Sequence, residues 1–354
     1  MNSTKKYSVL GVMSGTSLDG VDFCYVQFSK HDFWNFKIVE AETIPYSSDW
    51  KQKLQQAHTL NQLKLNSLNE EYSLFLSQKI ADFIQKHSIP HLDFVASHGH
   101  TILHQPENGI TLQIGNLPQI TRQLTVPVVC NFRVQDVQLG GQGAPLVPIG
   151  DELLFGEFDA CLNLGGFANI SFKENNQRIA FDICPVNITL NYFAEKLGVP
   201  YDVNGAIAQA NQPNEALLNE LNQIEFYQKS FPKSLGKEWV ETVFLPIVEN
   251  YQLTNEVIIS TLTHHSVFQI TKILQPDKKV LISGGGAFNS YLIALLKENA
   301  NAEIVLRENK IINFKEALIF AFLGVLKIRG EINILSTVTG ASKDHSSGIV
   351  HLGS

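Results

Sequence analysis

Residues 9–28 read VLGVMSGTSLDGVDFCYVQF: two apolar runs flank a stretch of Ser, Gly, Thr and Asp. The runs alternate as strands do, so the polar stretch is either an ordinary tight turn or a loop that holds a ligand. Its small residues permit close backbone approach, and Ser14, Thr16 and Ser17 add hydroxyls. Successive backbone N–H groups in such a turn form a concave nest for phosphate oxygens. Asp19 adds a carboxylate for Mg2+, a cation that takes one or two protein carboxylates and keeps several waters. Gly15 and Gly20 have the GxxxxG spacing, but Val21 and Asp22 stand where a P-loop needs Lys and Ser or Thr. No long helix follows, so a dinucleotide fingerprint fails as well.

Outward from this stretch, YSVLGVM, VDFCYVQF and FWNFKIVEAETIPY read as three strands joined by turns. Helical periodicity takes over from Asp49 to His87. It is followed by the buried-type strand DFVASHG, a second amphipathic stretch around Leu117–Thr125 and the strand VPVVCNF. The turn-rich segment RVQDVQLGGQGAPLVP marks a domain crossing, with a hinge expected near Asn131–Gln142. After it, FDACLNLGGFANISFKENNQRIAFDICPV again reads as strand, glycine turn, strand, hairpin and strand, with Gly165 and Gly166 echoing Gly15. Helical stretches follow at 187–197, 214–227, 236–250 and 256–273, then the strand KVLISGGG and the helix NSYLIALLKENA.

A chain of 354 residues exceeds what one compact core accommodates. The expected division is 1–130, with a tail at about 335–354 returning to it, and 131–334. Two domains that each open on a glycine-turned β-meander fit an α/β architecture of two ribonuclease-H-like domains. Sugar kinases, actin and hsp70-type ATPases share it, with nucleotide in a central cleft between the domains. Fold alone does not assign function.

Composition excludes several classes. The net charge is −7 and the basic residues are scattered, which argues against a nucleic-acid surface. Four cysteines at unrelated spacings, with no CxxC pair, suggest neither a zinc site nor a disulfide framework. The N-terminal residues lack a signal-type apolar core. The most apolar helix, EALIFAFLGVLKI, falls short of the ~20 residues of a membrane span. A reducing cytoplasmic protein with no membrane partner is the expectation.

Four further motifs carry polar chemistry. In LISGGGAFN, a strand runs into Gly284, Gly285 and Gly286 and then a helix, so a base or ribose can lie on the backbone; a close strand–helix junction needs the same glycines. In AFDICPVN, Asp182 ends an apolar strand, a position that suits a general base or, equally, a cap on the next helix. SHGHTILH holds His98, His100 and His104 without a carboxylate or Cys at ligand spacing, so Ser97, His98 and their neighbours read as neutral groups lining a polar pocket rather than as metal ligands. GGQGAPLVP presents Gln142 and Gly143 on an open backbone, suited to touching a sugar or to hinging.

Taken in order, GVMSGTSLDGVD, SHGHT, GGQGAPLVP, LNLGGFANI, FD-x-x-P-x-N, PKSLGKE, GGGAFN and the late VTGA resemble the anhydro-N-acetylmuramic acid kinase family over nearly the whole chain. The resemblance implies an ATP- and Mg2+-dependent kinase whose substrate, 1,6-anhydro-N-acetylmuramic acid from cell-wall turnover, has no free 6-hydroxyl. Water then attacks the anomeric carbon while the released 6-oxygen takes the γ-phosphoryl group. Asp182 becomes the base that activates the water. Gly15 to Asp22 (Gly15, Thr16, Ser17, Leu18, Asp19, Gly20, Val21, Asp22) become the phosphate-binding segment, and Gly165, Gly166 and Gly284–Gly286 complete the ATP site. Ser97, His98, Gln142, Gly143 and Asn187 fall to the sugar, Asp19 to the metal, and a homodimer is implied. The chain departs from the family where Ile183-Cys184-Pro185-Val186-Asn187 replaces TGPGN, where His100 replaces Gln, and where GEINILSTVTGA replaces PGNLPSVTGA. These changes bear on the sugar, and leave a kinase of a related amino sugar with a free hydroxyl as the alternative. An actin- or hsp70-like nucleotide-dependent binding protein is the remoter one.

Overall fold

A computed structural model describes residues 5–15 and 17–353. Thr16, assigned above to the phosphate-binding turn, lies outside the described residues. Strands are β1 (Lys6–Ser14), β2 (Gly20–Lys30), β3 (Trp34–Pro45), β4 (Phe94–Gln105), β5 (Ile110–Ile114), β6 (Val128–Cys130), β7 (Ala160–Leu164), β8 (Phe167–Glu174), β9 (Gln177–Pro185), β10 (Lys279–Ser283), β11 (Glu303–Leu306) and β12 (Ile349–His351). The chain divides into two compact units, one of residues up to 154 and from 314 onward, the other of 155–313.

In the first unit the sheet order is β12-β6-β4-β1-β2-β3, with β5 paired to β4. β1, β2 and β3 form an antiparallel meander, while β4 runs parallel to β1 and β6 parallel to β4. In the second unit the order is β11-β10-β7-β8-β9. Here too the first three strands are an antiparallel meander, and β10 and β11 run parallel to the first of them. Each unit therefore has the ribonuclease-H-like topology, and the repeat of the opening pattern is a repeat of strand order and direction.

The long helix Gln62–Lys86 in the first unit buries Leu65, Leu68, Tyr72, Leu76, Ile80 and Phe83 at three- and four-residue spacing. They pack on Leu10, Val12, Phe23 and Val95 of the sheet. On Asn309–Ile328 the residues from Phe314 onward belong to this unit. They approach the sheet so closely that a Cβ on Gly11 would lie 2.0 Å from the Ala317 carbonyl oxygen. In the second unit Ile258, Ile259, Leu262 and Ile270 of helix Asn255–Ile273 pack against Leu162, Leu164, Ala168 and Ile170.

Several expectations differ from the structure. The unit boundaries fall at 154/155 and 313/314 rather than at 130/131 and 334/335. The intervening residues are held in the first unit by the Gly11–Ala317 approach, by Ile319 against Gly150, and by a buried ion pair between Lys315 and Asp151 at 2.7 Å. The stretch around 117–125 forms only the short 3-10 turn Pro118–Thr121. The helix expected at 236–250 is interrupted by a π-type segment, Val240–Phe244, ahead of Pro246. Proline lacks the N–H that would continue the ladder. β5 and β12 are too short to announce themselves by alternation.

Candidate active site

Asp182 sits in β9 opposite Asn169 of β8. Its backbone N–H donates to the Lys233 carbonyl at 3.0 Å, and its Oδ2 accepts the Leu235 N–H at 2.8 Å. A single segment thus fixes the carboxyl group. That segment is pinned by Phe231, whose ring stacks on Phe181 with centroids 5.2 Å apart. Burial raises the Asp182 carboxyl to about 6, opposed by the Leu235 amide. A carboxylate that exchanges its proton near neutrality is suited to general-base work.

Beside it, the glycines of the second unit divide into two kinds. A Cβ on Gly284, whose φ is +82°, would stand 2.5 Å from Asn163 Oδ1, and one on Gly286 2.7 Å from Leu164 Cβ. Those two are demanded by the packing of β10 against the end of β7. Gly166 and Gly285 are exposed, and the nearest atoms to an added Cβ are 3.7 and 3.8 Å away. The fold does not require glycine there, so their open backbone is free for a ligand. Gly165 is intermediate, with Asn163 Nδ2 at 3.2 Å. Asn187 closes the group: its N–H donates to the Gly165 carbonyl at 3.3 Å and its Nδ2 to the Leu164 carbonyl at 3.1 Å.

In the first unit the β1–β2 turn carries the expected phosphate segment. Ser17 and Asp19 are exposed, and Leu18 adopts a φ of +61°. Gly15 would meet nothing nearer than Ser17 Oγ at 3.7 Å, whereas a Cβ on Gly20 would stand 2.4 Å from the Ile44 carbonyl. Gly20 therefore answers to β3, and Val21 is wholly buried in the core. Asp22 accepts from the Thr43 hydroxyl at 2.6 Å. Burial raises the Asp22 carboxyl; Thr43 opposes this and the charge of Asp19 adds to it. Among the described residues no group of three His, Cys, Asp or Glu side chains is placed to hold a metal ion. The neighbouring carboxylates Asp19 and Asp22 fit a cation that keeps most of its waters.

The SHGHT and GGQGAP motifs meet through residues the sequence did not single out. Arg133 Nε donates to His98 Nε2 at 2.8 Å, and its Nη1 donates to the Gly143 carbonyl at 3.0 Å. An arginine only donates, so His98 carries its proton on Nδ1, which donates to the Gly99 carbonyl at 2.9 Å. Both ring nitrogens of His98 are thereby engaged, and burial with the charge of Arg133 holds it neutral. Ser97 is buried, its hydroxyl accepting the Gly99 N–H at 3.3 Å. Asp136, wholly buried, accepts from the Gly143 N–H and the Thr339 hydroxyl, each at 2.7 Å. The Gln142 N–H donates to the Thr339 carbonyl at 2.8 Å, leaving the Gln142 side chain exposed. The GGQGAP loop and the VTGA motif are thus one hydrogen-bonded assembly around Asp136. Glu316 keeps solvent contact. The surrounding protein raises its carboxyl, Arg133 opposes the rise, and Asp22 adds to it. Lys315 and Glu316 stand just ahead of the apolar run that follows on the same helix, and no motif in the sequence singled them out.

The profile of the anhydro-N-acetylmuramic acid kinase family matches residues 7–353. The chain belongs to the anhydro-N-acetylmuramic acid kinase family. An anhydro-N-acetylmuramic acid kinase of Hydrogenovibrio crunogenus is 32% identical, covering 96% of this chain and 97% of that protein. Its counterpart in Haemophilus influenzae is 31% identical with 99% of each covered. The one in Sulfurimonas denitrificans is 32% identical, covering 97% of this chain and 98% of the other.

Proposed function

We propose that this kinase hydrolytically opens 1,6-anhydro-N-acetylmuramic acid and phosphorylates its 6-oxygen with ATP, yielding N-acetylmuramic acid 6-phosphate and ADP in peptidoglycan recycling. Family membership supports the reaction, and the observation that carries the mechanism is the amide-held carboxyl of Asp182. Its carboxylate takes a proton from water as the water oxygen bonds to the anomeric carbon. The C1–O6 bond breaks, and O6 bonds to the γ-phosphorus as the bridge to ADP breaks. Only one proton moves to the enzyme, and a carboxyl with a pKa of about 6 can both accept it and release it afterward.

Phosphoryl transfer needs positioning and charge neutralisation more than covalent help. In this reading the open backbones of Gly166 and Gly285, with Gly165, Gly284 and Gly286 behind them, face the nucleotide, and Gly15, Ser17, Leu18 and Asp19 face the phosphates, with Gly20 and Val21 as their framework. Asp19, with Asp22 beside it, would hold Mg2+, which when bound would supply neutralisation of phosphate charge. The Arg133–His98–Gly143 assembly and Asn187 are assigned to the sugar, with Ser97 and Gln142 as supports. A cytoplasmic homodimer completes the proposal, its association state open to sedimentation analysis.

The test is ADP release by purified protein with Mg-ATP and the anhydro sugar, beside Asp182→Asn. Sugar-dependent turnover that the variant loses is the expected result. Turnover that survives the substitution places the base elsewhere. Turnover only with N-acetylmuramic acid itself selects the free-hydroxyl alternative raised by Ile183–Val186.

A further inference from the structure

At the end of β1, Ser14 stands in parallel register with His100 of β4. Ser14 Oγ lies 2.8 Å from His100 Nδ1 and 2.5 Å from the Tyr46 hydroxyl, which lies 2.5 Å from the Tyr72 hydroxyl. All four side chains are buried, Tyr72 with no exposure at all and His100 with 3%. Each hydroxyl has one proton to donate, and among the described residues Tyr46 is the partner in good hydrogen-bond geometry with the Tyr72 hydroxyl, with Ser14 the next group in reach. If the chain of bonds ran from His100 toward Tyr72, the Tyr72 proton would be a buried donor with no well-aligned acceptor, an arrangement folded proteins avoid. The chain therefore runs the other way: Tyr72 donates to Tyr46, Tyr46 to Ser14, and Ser14 to His100 Nδ1. That leaves the imidazole proton on Nε2, which bonds to none of the described residues. His98, two residues earlier on the same strand, has the opposite tautomer.

We propose that His100 is a positioning residue for the sugar: a neutral imidazole whose Nε2–H, fixed by the Tyr72–Tyr46–Ser14 relay, donates to an oxygen acceptor of the bound substrate. The assignment of the acceptor to the sugar rests on the function proposed above; the tautomer does not. The location supports it, since the carboxyl ends of parallel strands are where open α/β sheets bind ligands. A Gln at this position would also end in an N–H donor, but on an amide that can flip, whereas the His100 ring has its proton held in place. Burial pushes His100 down to about 4, so the donor remains uncharged across the physiological range.

The experiment is nitrogen-15 NMR of the imidazole rings in the full chain near pH 7, with His100→Gln to assign the signal, alongside steady-state kinetics. His100 should be the Nε2–H tautomer. Tyr46→Phe should give a mixture of tautomers and raise KM for the sugar about tenfold, with kcat and KM for ATP little changed, because one donor is no longer directed. Tyr72→Phe should leave the tautomer as it was, since Tyr46 still has only Ser14 to donate to. His100→Gln should stay within about threefold of wild type while His100→Ala loses tenfold or more in sugar KM. An Nδ1–H or charged ring in the wild type overturns the proposal, as does a His100→Gln variant as impaired as His100→Ala. If the wild type does not turn over the anhydro sugar at all, the function is wrong, and the spectra still decide the relay.

Discussion

The two sheets share strand order and direction but treat their acids differently. In the first, Asp22 lies on the second strand of the meander, accepts from the Thr43 hydroxyl, and is raised by burial and then by its neighbour Asp19. Its charge in turn raises Glu316. In the second, Asp182 lies on the third strand, held by a backbone amide, and burial alone drives it up. Neighbouring carboxylates are relieved by a cation; a carboxyl raised by burial alone is relieved by a proton. In the proposed function, one scaffold used twice thus supplies a place for a metal and a place for a base.

The largest effect that would break this contrast is on turnover. Asp182→Asn should lower kcat by about 10³-fold, within the range of a lost general base. Asp22→Asn should instead raise the Mg2+ needed for half-maximal rate, by about tenfold. Titrating Mg2+ against both variants separates the roles, and a shared response would erase the distinction.

On the pH axis, wild-type kcat/KM should fall as pH drops through about 6, where Asp182 takes up its proton. Stability has the opposite sign. The folded pKa of about 6 lies above the unfolded 3.8, so the folded state holds the proton more tightly, and stability declines as pH rises between the two. The decline is at most about 3 kcal/mol. Asp182→Asn should therefore be more stable than wild type at pH 8, with the difference shrinking toward pH 4. Denaturant titrations at the two pH values check it.

A buried acid with several donors behaves otherwise. Asp136→Ala strands the Gly143 N–H and the Thr339 hydroxyl and should cost about 3 kcal/mol in urea unfolding. The smallest effects lie with the glycines and sharpen the division made above. Gly166→Ala should leave the melting temperature nearly unchanged while raising KM for ATP a few-fold to about tenfold. Gly284→Ala should destabilise by about 1–3 kcal/mol, because φ is +82° and the backbone of Leu164 is in the way. If Gly166→Ala has no effect on ATP, the open-backbone argument fails at that position.

The sequence made the meanders and both glycine turns readable, because each is written in consecutive residues, by alternation and small residues; Asp182 it placed at a strand end, whereas β9 runs on to Pro185. What it hid was built from distant parts. Arg133 matters through His98, thirty-five residues earlier, and Asp136 through Thr339, more than two hundred later. Glu316 sits in a helix whose apolar run reads as core. Gly20 and Val21, counted with the phosphate-binding segment, prove to be framework because β3 and the core lie against them. The unit boundaries were misplaced for the same reason: nothing local says that Ala317 rests on Gly11.

β12 pairs with β6 from the far side of the second unit in the chain. During synthesis, residues 155–313 emerge as one uninterrupted block, while the first sheet waits for the helix that covers Gly11 and for the strand that completes its edge. The second unit is thus ready to fold on the ribosome while the first is still missing parts. The exposed β6 edge is vulnerable to wrong pairing until residues near 350 arrive. Pulse-labelled nascent chains should accordingly show protease resistance in 155–313 before it appears in the residues that precede them.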